Sequence, residues 1–285
     1  MEPVTIRAYA KINLGLRIYG KRPDGYHEIE TVYHMIDLFD ELKFEPWGTI
    51  EVSNSDPALP RDEGNLCYRA ATLLQEHLGL RHGVRISLTK NIPIGAGLGG
   101  GSSDAGAVMR ELPRFWNVSI ERKELSRLAL MLGSDVPYFL HNGSAFARGR
   151  GEILEYFQLE LPYAVLLCYP NIHISTAWAY NKVRTLRTRP DECLKDALLN
   201  ALTNPTQLFS CLANDFEPIV FETHPEILQV KESMIRNGAQ CAALSGSGSS
   251  VFGLFSQIDK ALNAAELLRN KRYKIFISSL HFSVP

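Results

Sequence analysis

The chain opens on a strict alternation. Ile6, Ala8, Ala10, Ile12, Leu14, Leu16 and Ile18 fall on one face, and Thr5, Arg7, Tyr9, Lys11, Asn13, Arg17 and Tyr19 on the other. That period of two predicts a strand with one buried face. The run exceeds a usual strand, so a bend is expected near Gly15. Arg22-Pro23-Asp24-Gly25 predicts a turn, and a second strand passes through Val32, Tyr33 and Ile36.

Helical spacing follows. Asn65 caps a predicted helix carrying Leu66, Ala70, Leu73, Leu74 and Leu78, closed by Gly79. Val84, Ile86 and Leu88 alternate with polar residues, predicting a strand that leads into "NIPIGAGLGGGSSDAGAV". Ala105, Val108, Met109 and Leu112 then recur at helical spacing, and Pro113 is expected to end that helix. Another helix is predicted over 120–132, stopping at Gly133.

The second half differs in texture. A strand is predicted over Tyr163 to Tyr169, and residues 183–215 give no clear pattern. A helix over 225–237, strands over 241–244 and 250–255 flanking "SGSGSS", a helix over 259–270 and a strand over 273–279 complete the chain. Strand, helix, strand, strand, helix, strand describes a ferredoxin-like unit. A boundary near residue 155 is expected, dividing a domain of 1–155 from one of 156–285.

Composition narrows the class. Hydrophobic residues at 45% and charged residues at 21% are ordinary globular usage. Lysine plus arginine (30) nearly balances aspartate plus glutamate (31), so no strong field draws nucleic acid or an anionic membrane. The five cysteines include no C-x-x-C pair, which argues against a zinc site or a disulfide framework and for a reducing compartment. With no signal-like segment at the start, a soluble cytoplasmic protein is expected.

The glycine-rich stretch carries the candidate chemistry. It has six glycines in eighteen residues and lies between a predicted strand and a helix start. Free N–H groups and the helix dipole there suit a phosphate. Tight packing is the plainer explanation, but six glycines exceed what packing needs. No Walker A pattern occurs. Gly95, Gly97 and Gly100 satisfy G-x-G-x-x-G, which leaves a dinucleotide-dependent oxidoreductase as a rival. No G-x-S-x-G or H-E-x-x-H is present, and Asn214-Asp215-Phe216-Glu217 only brushes a D-F-G without any H-R-D. Taken singly, Lys11 and Asn13 read as a solvated strand face. Asp135 in "GSDVP" reads as a turn cap. Tyr26 and His27 read as either a packing or a binding pair.

Read together, "AKINLGLRIYGKRPDGYHEIET", "PIGAGLGGGSSDAG", "GSDVP" and "LSGSGSSVFG", in that order, resemble the GHMP small-molecule kinases. The "GLGGGSS" and "DGYHEI" stretches look like the branch acting on 4-diphosphocytidyl-2-C-methyl-D-erythritol. The resemblance implies an α+β fold of two domains. The first is like ribosomal protein S5 domain 2 and binds ATP; the second is ferredoxin-like. It implies ATP as phosphoryl donor with Mg²⁺. Pro93, Ile94, Gly95, Ala96, Gly97, Leu98, Gly99, Gly100, Gly101, Ser102 and Ser103 would wrap the ATP phosphates, with Ser103 a candidate metal ligand. Lys11 and Asp135 match the catalytic pair. Asn13, Tyr26, His27 and Tyr180 match substrate positions, the two tyrosines sandwiching the cytosine and His27 meeting its edge. A small-molecule substrate, no nucleic acid, no membrane, and a monomer or weak homodimer are the expected associations. A nucleotide sensor without catalysis is the second rival.

Overall fold

The computed structural model describes residues 2–183, 188, 190–269 and 272–284. In chain order the strands are β1 (Val4–Lys21), β2 (His27–Trp47), β3 (Ile50–Asn54), β4 (Gly83–Thr89), β5 (Ser144–Gly149), β6 (Ile153–Phe157), β7 (Ala164–Tyr169), β8 (Cys241–Leu244), β9 (Val251–Phe255) and β10 (Lys274–Ser278). The helices are α1 (Leu66–His77), α2 (Gly100–Phe115), α3 (Arg122–Leu132), α4 (Thr176–Lys182), α5 (Leu194–Ala201), α6 (Pro205–Cys211), α7 (Glu217–Thr223), α8 (Pro225–Arg236) and α9 (Ile258–Arg269). A 3₁₀ turn spans Val136–Leu140.

Two compact units emerge, and the chain passes between them several times. One comprises the start through Ala10, Leu38–Ile94 and Gly99–Asn142; the other comprises Lys11–Asp37, Gly95–Leu98 and Gly143 onward. The long strands β1 and β2 each contribute to both units.

In the first unit, β2 pairs antiparallel with β4 through Glu41↔Thr89 to Trp47↔Gly83, and β4 pairs parallel with β3. Leu42, Phe44, Val84, Ile86 and Leu88 bury one face against Ala70 and Leu74 of α1, Val108, Met109 and Leu112 of α2, and Leu128 of α3. The Asn65 side chain accepts a bond from the Cys67 N–H at 2.8 Å, the expected cap of α1. Pro113 lies inside α2, which continues to Phe115. Proline in a last turn breaks only one helical bond, and the buried Leu112 and Trp116 hold that turn in place.

In the second unit, β2 pairs antiparallel with β5, and β5 with β6. A separate four-stranded sheet runs β10-β7-β9-β8, antiparallel at every pairing. Numbered within the half, that order is 4-1-3-2, the ferredoxin-like arrangement. The core beneath it joins Leu166 and Cys168 of β7, Val230 and Met234 of α8, and Ala261, Ala265 and Leu268 of α9. The final predicted residue of the last helix, Asn270, lies outside the described residues. Residues 183–215, unpatterned in sequence, hold the short helices α5 and α6.

β1 runs unbroken through Gly15 from Val4 to Lys21, but that position accepts only glycine. Its φ of +83° is left-handed, and a Cβ there would come within 2.3 Å of the Cys211 carbonyl oxygen.

Candidate functional site

Lys11 and Asn13 do not lie on a solvated face. Along β1 both faces are buried from Ala8 to Leu16, and these two side chains are 4% and 2% exposed. A buried ammonium and a buried amide require partners. The Lys11 Nζ donates to Asn13 Oδ1 at 2.6 Å and to the Gly97 carbonyl at 3.3 Å, and stands 5.1 Å from the Tyr33 ring centre. Asn13 Nδ2 donates to Thr31 Oγ1 at 2.8 Å, and Thr31 donates on to the Gly15 carbonyl at 2.6 Å. Alternation puts residues 11 and 13 on one side of the strand, so the lysine, the amide and one stretch of the glycine loop meet within the second unit.

The glycine loop is shared between the units. Gly95, Ala96, Gly97 and Leu98 belong to the second; Pro93, Ile94, Gly99, Gly100, Gly101, Ser102 and Ser103 belong to the first. Gly95, Gly97 and Gly99 all have positive φ. A Cβ on Gly97 would meet the Ser245 carbonyl at 2.1 Å. This glycine is therefore required by the chain's own close approach, whatever the loop binds. Ser245 Oγ also donates to the Gly97 carbonyl at 3.0 Å. The "SGSGSS" segment thus supports the glycine loop from behind.

Gly99, left-handed at φ +69°, is the N-cap of α2 and offers no side-chain acceptor to its first N–H groups. The first N–H groups of a helix lack intrahelical acceptors. With a glycine at the N-cap and glycines around them, they suit an anion such as a polyphosphate. The buried Ser103 donates its hydroxyl to the Tyr9 carbonyl at 2.6 Å, which ties the first turn of α2 to β1 within the first unit. Its lone pairs remain acceptors. Among the described residues no three His, Cys, Asp or Glu side chains converge as a metal site. A Mg²⁺ arriving with ATP would take most of its ligands from phosphate oxygens and water, as this ion ordinarily does, with Ser103 the candidate from the chain.

At the same loop lies a buried cluster of one lysine and two carboxyl groups that the sequence does not signal. Lys90 Nζ lies 2.5 Å from Asp40 Oδ2 and 2.7 Å from Asp104 Oδ2, all three side chains being nearly inaccessible. Asp40 Oδ1 accepts the N–H groups of Asn91 and Ile92 at 2.5 and 2.9 Å. The triad clamps the entry of the loop to the first turn of α2. Burial pushes the Asp104 carboxyl up to about 8, against the pull of Lys90 and with the help of Asp40. A lysine between two acids far apart in sequence leaves no local signature.

Asp135 immediately precedes the 3₁₀ turn, yet its carboxylate makes no capping bond there. Its backbone carbonyl accepts the Tyr138 N–H at 3.2 Å. The turn-cap explanation therefore does not account for the side chain. Asp135 is half-buried in the first unit.

The aromatic residues fall in the second unit. The His27 and Tyr180 rings stack at 5.1 Å between centres and 18° between planes, and Phe216 meets Tyr180 edge-on at 4.9 Å. Tyr26, 50% exposed, has the Arg150 guanidinium 4.6 Å from its ring centre. His27 therefore stacks directly on Tyr180, and Tyr26 lies at the surface against Arg150. Burial, and secondarily the Lys21 charge, lowers the His27 pKa, which favours the neutral ring with one donor and one acceptor.

Comparison with known proteins agrees with this architecture. The model of the GHMP kinases N terminal domain matches residues 65–143, and that of the GHMP kinases C terminal matches residues 195–274. The chain belongs to the GHMP kinases: it is a two-domain α+β small-molecule kinase. Within them it closely resembles the 4-diphosphocytidyl-2-C-methyl-D-erythritol kinases. It is 46% identical to the enzyme of that name from Prosthecochloris aestuarii over 94% of both chains. It is also 46% identical to that from Chlorobium limicola, over 100% of this chain and 99% of the relative. A crystal structure of 4-(cytidine 5'-diphospho)-2C-methyl-D-erythritol kinase superposes with a TM-score of 0.83 at 36% identity, covering 98% of this chain and 100% of that one.

Proposed function

We propose that this kinase transfers the γ-phosphoryl group of ATP to the 2-hydroxyl of 4-diphosphocytidyl-2-C-methyl-D-erythritol, a step of the non-mevalonate isoprenoid pathway, in the cytoplasm. The observation that carries the reading is full-length likeness to kinases bearing that substrate's name. The stacked His27–Tyr180 pair, backed by Phe216, supports it. A cytosine needs a flat apolar cover and a hydrogen-bonding edge, and a bare sugar or homoserine needs neither.

In this reading the N terminus of α2 and the loop amides receive the ATP phosphates. Asp135 accepts the proton of the attacking hydroxyl. The hydroxyl oxygen bonds to the γ-phosphorus, the bridging P–O bond breaks, and ADP departs with that electron pair. Lys11, fixed by Asn13 and the Gly97 carbonyl, supplies positive charge for the transferring group. With ATP bound, Ser103 would be the chain's ligand to a Mg²⁺ that would supply further charge neutralisation. Most of the acceleration then comes from positioning and charge.

ADP release with this compound should exceed release with mevalonate, homoserine or galactose. His27→Ala should raise KM for the cytidyl substrate and leave KM for ATP nearly unchanged. Preference for any of the three other alcohols would overturn the assignment.

A further inference from the structure

The segment Asn214-Asp215-Phe216-Glu217 has every side chain committed within the second unit. Asn214 is buried, and its amide donates twice, to the Leu244 and Gly246 carbonyls, each at 2.8 Å. Its Oδ1 accepts the Phe216 N–H at 2.9 Å. Asp215 Oδ2 accepts the Ile18 N–H of β1 at 2.8 Å. Glu217 Oε1 accepts the Leu244 N–H at 3.0 Å, while Oε2 pairs with Lys231 at 2.7 Å. Phe216 is buried and meets Tyr180 edge-on. The backbone joins in, because Leu16 N–H donates to the Ala213 carbonyl and Asp215 N–H to the Leu16 carbonyl.

Two chains of contact leave this segment. One runs from the Asn214 amide to the 244–246 loop, from Ser245 to the Gly97 carbonyl, and from there to Lys11 Nζ. The other runs from the Phe216 ring to Tyr180 and on to His27. The first ends on the group that carries charge for phosphoryl transfer, the second on the aromatic platform.

We propose that Asn214 and Phe216 are positioning residues acting on separate halves of the reaction, Asn214 setting the Lys11 end and Phe216 the aromatic platform. The second half rests on the substrate reading above. Neither side chain touches the reacting atoms. Each acts through a neighbour whose placement it fixes.

The two arms predict opposite kinetic signatures. Asn214→Asp keeps the shape and the acceptor to Phe216 but turns one carboxylate oxygen toward two carbonyls. It should lower kcat about tenfold or more and leave KM for the cytidyl substrate within about threefold. A carboxyl buried among carbonyls holds its proton to higher pH, and the protonated acid restores one donor, so the kcat deficit should shrink from about pH 8 to about pH 6. Phe216→Leu, which removes the ring but keeps a buried apolar side chain, should raise that KM about tenfold with kcat within about threefold.

Steady-state kinetics on the full chain, well below each variant's melting temperature, makes the test. General loosening of the fold would lower the melting temperature without splitting kcat from KM. Parallel changes in the two variants, or constants near those of the parent in both, overturn the proposal. If Asn214→Asp does not fold, Phe216→Leu alone decides: an unchanged KM, or a loss confined to kcat, sinks it. Failure of the parent to phosphorylate the cytidyl compound would instead refute the substrate reading and leave the Asn214 arm to be measured on the accepted alcohol.

Discussion

Lys11 shows how neighbours assign a side chain its use, and Asp135 how position alone does not. Asp135 stands where aspartates usually cap turns, yet its carboxylate makes no capping bond. Lys11 stands where strand lysines usually meet water, yet it is buried against Asn13 and the Gly97 carbonyl. If Asp135 accepts the hydroxyl proton, Asp135→Ala should lower kcat by about two orders of magnitude or more, the range for a lost general base. ATP affinity should survive, because the loop supplies it. Calorimetry for ATP binding and single-turnover kinetics on the folded variant make the check, and near-normal turnover would remove Asp135 from that role.

At the level of elements, α2 and its preceding loop are positioned by devices of different visibility. The glycines announce a loop, and their left-handed φ values match that expectation. The Lys90–Asp40–Asp104 clamp gives no such sign, since its members are brought together from β2, the end of β4 and α2. The clamp should also make stability depend on pH. Burial holds the folded Asp104 carboxyl up to about 8, above the value of about 3.9 in an unfolded chain. Between those values the native state keeps a proton that the unfolded chain releases. The stability from this group is therefore complete below about pH 4 and is lost as pH rises through about 8. Asp104→Asn mimics the protonated acid and keeps the Lys90–Asp40 pair. Its stability relative to the parent should climb between about pH 5 and about pH 9 in urea titrations. A pH-independent difference would show that Asp104 is ionised throughout.

Across the whole molecule, a kinase and a dinucleotide enzyme differ in which ligand stabilises the fold. ATP with Mg²⁺ at about a hundred times Kd should add about 2.7 kcal/mol and raise the melting temperature, while NAD or NADP should leave it unchanged. Stabilisation by NAD alone would contradict the kinase reading of the loop. What the sequence determined by itself was whatever depends on local order. Alternation identified β1, the Asn65 cap and apolar spacing marked α1, and the strand–helix succession after residue 225 announced the ferredoxin-like order. Its motif order also pointed to the family. Other features needed the folded chain. β5 and β6 are short strands without a distinctive pattern, and they acquire sheet partners only through β2. The pairing of His27 with Tyr180 joins residues far apart in sequence, and the burial of both faces of β1 depends on later segments covering them. Periodicity reports which side of an element is apolar. What eventually lies against the polar side is set by distant parts of the chain, and that contact turned Lys11 and Asn13 from surface residues into buried, oriented ones.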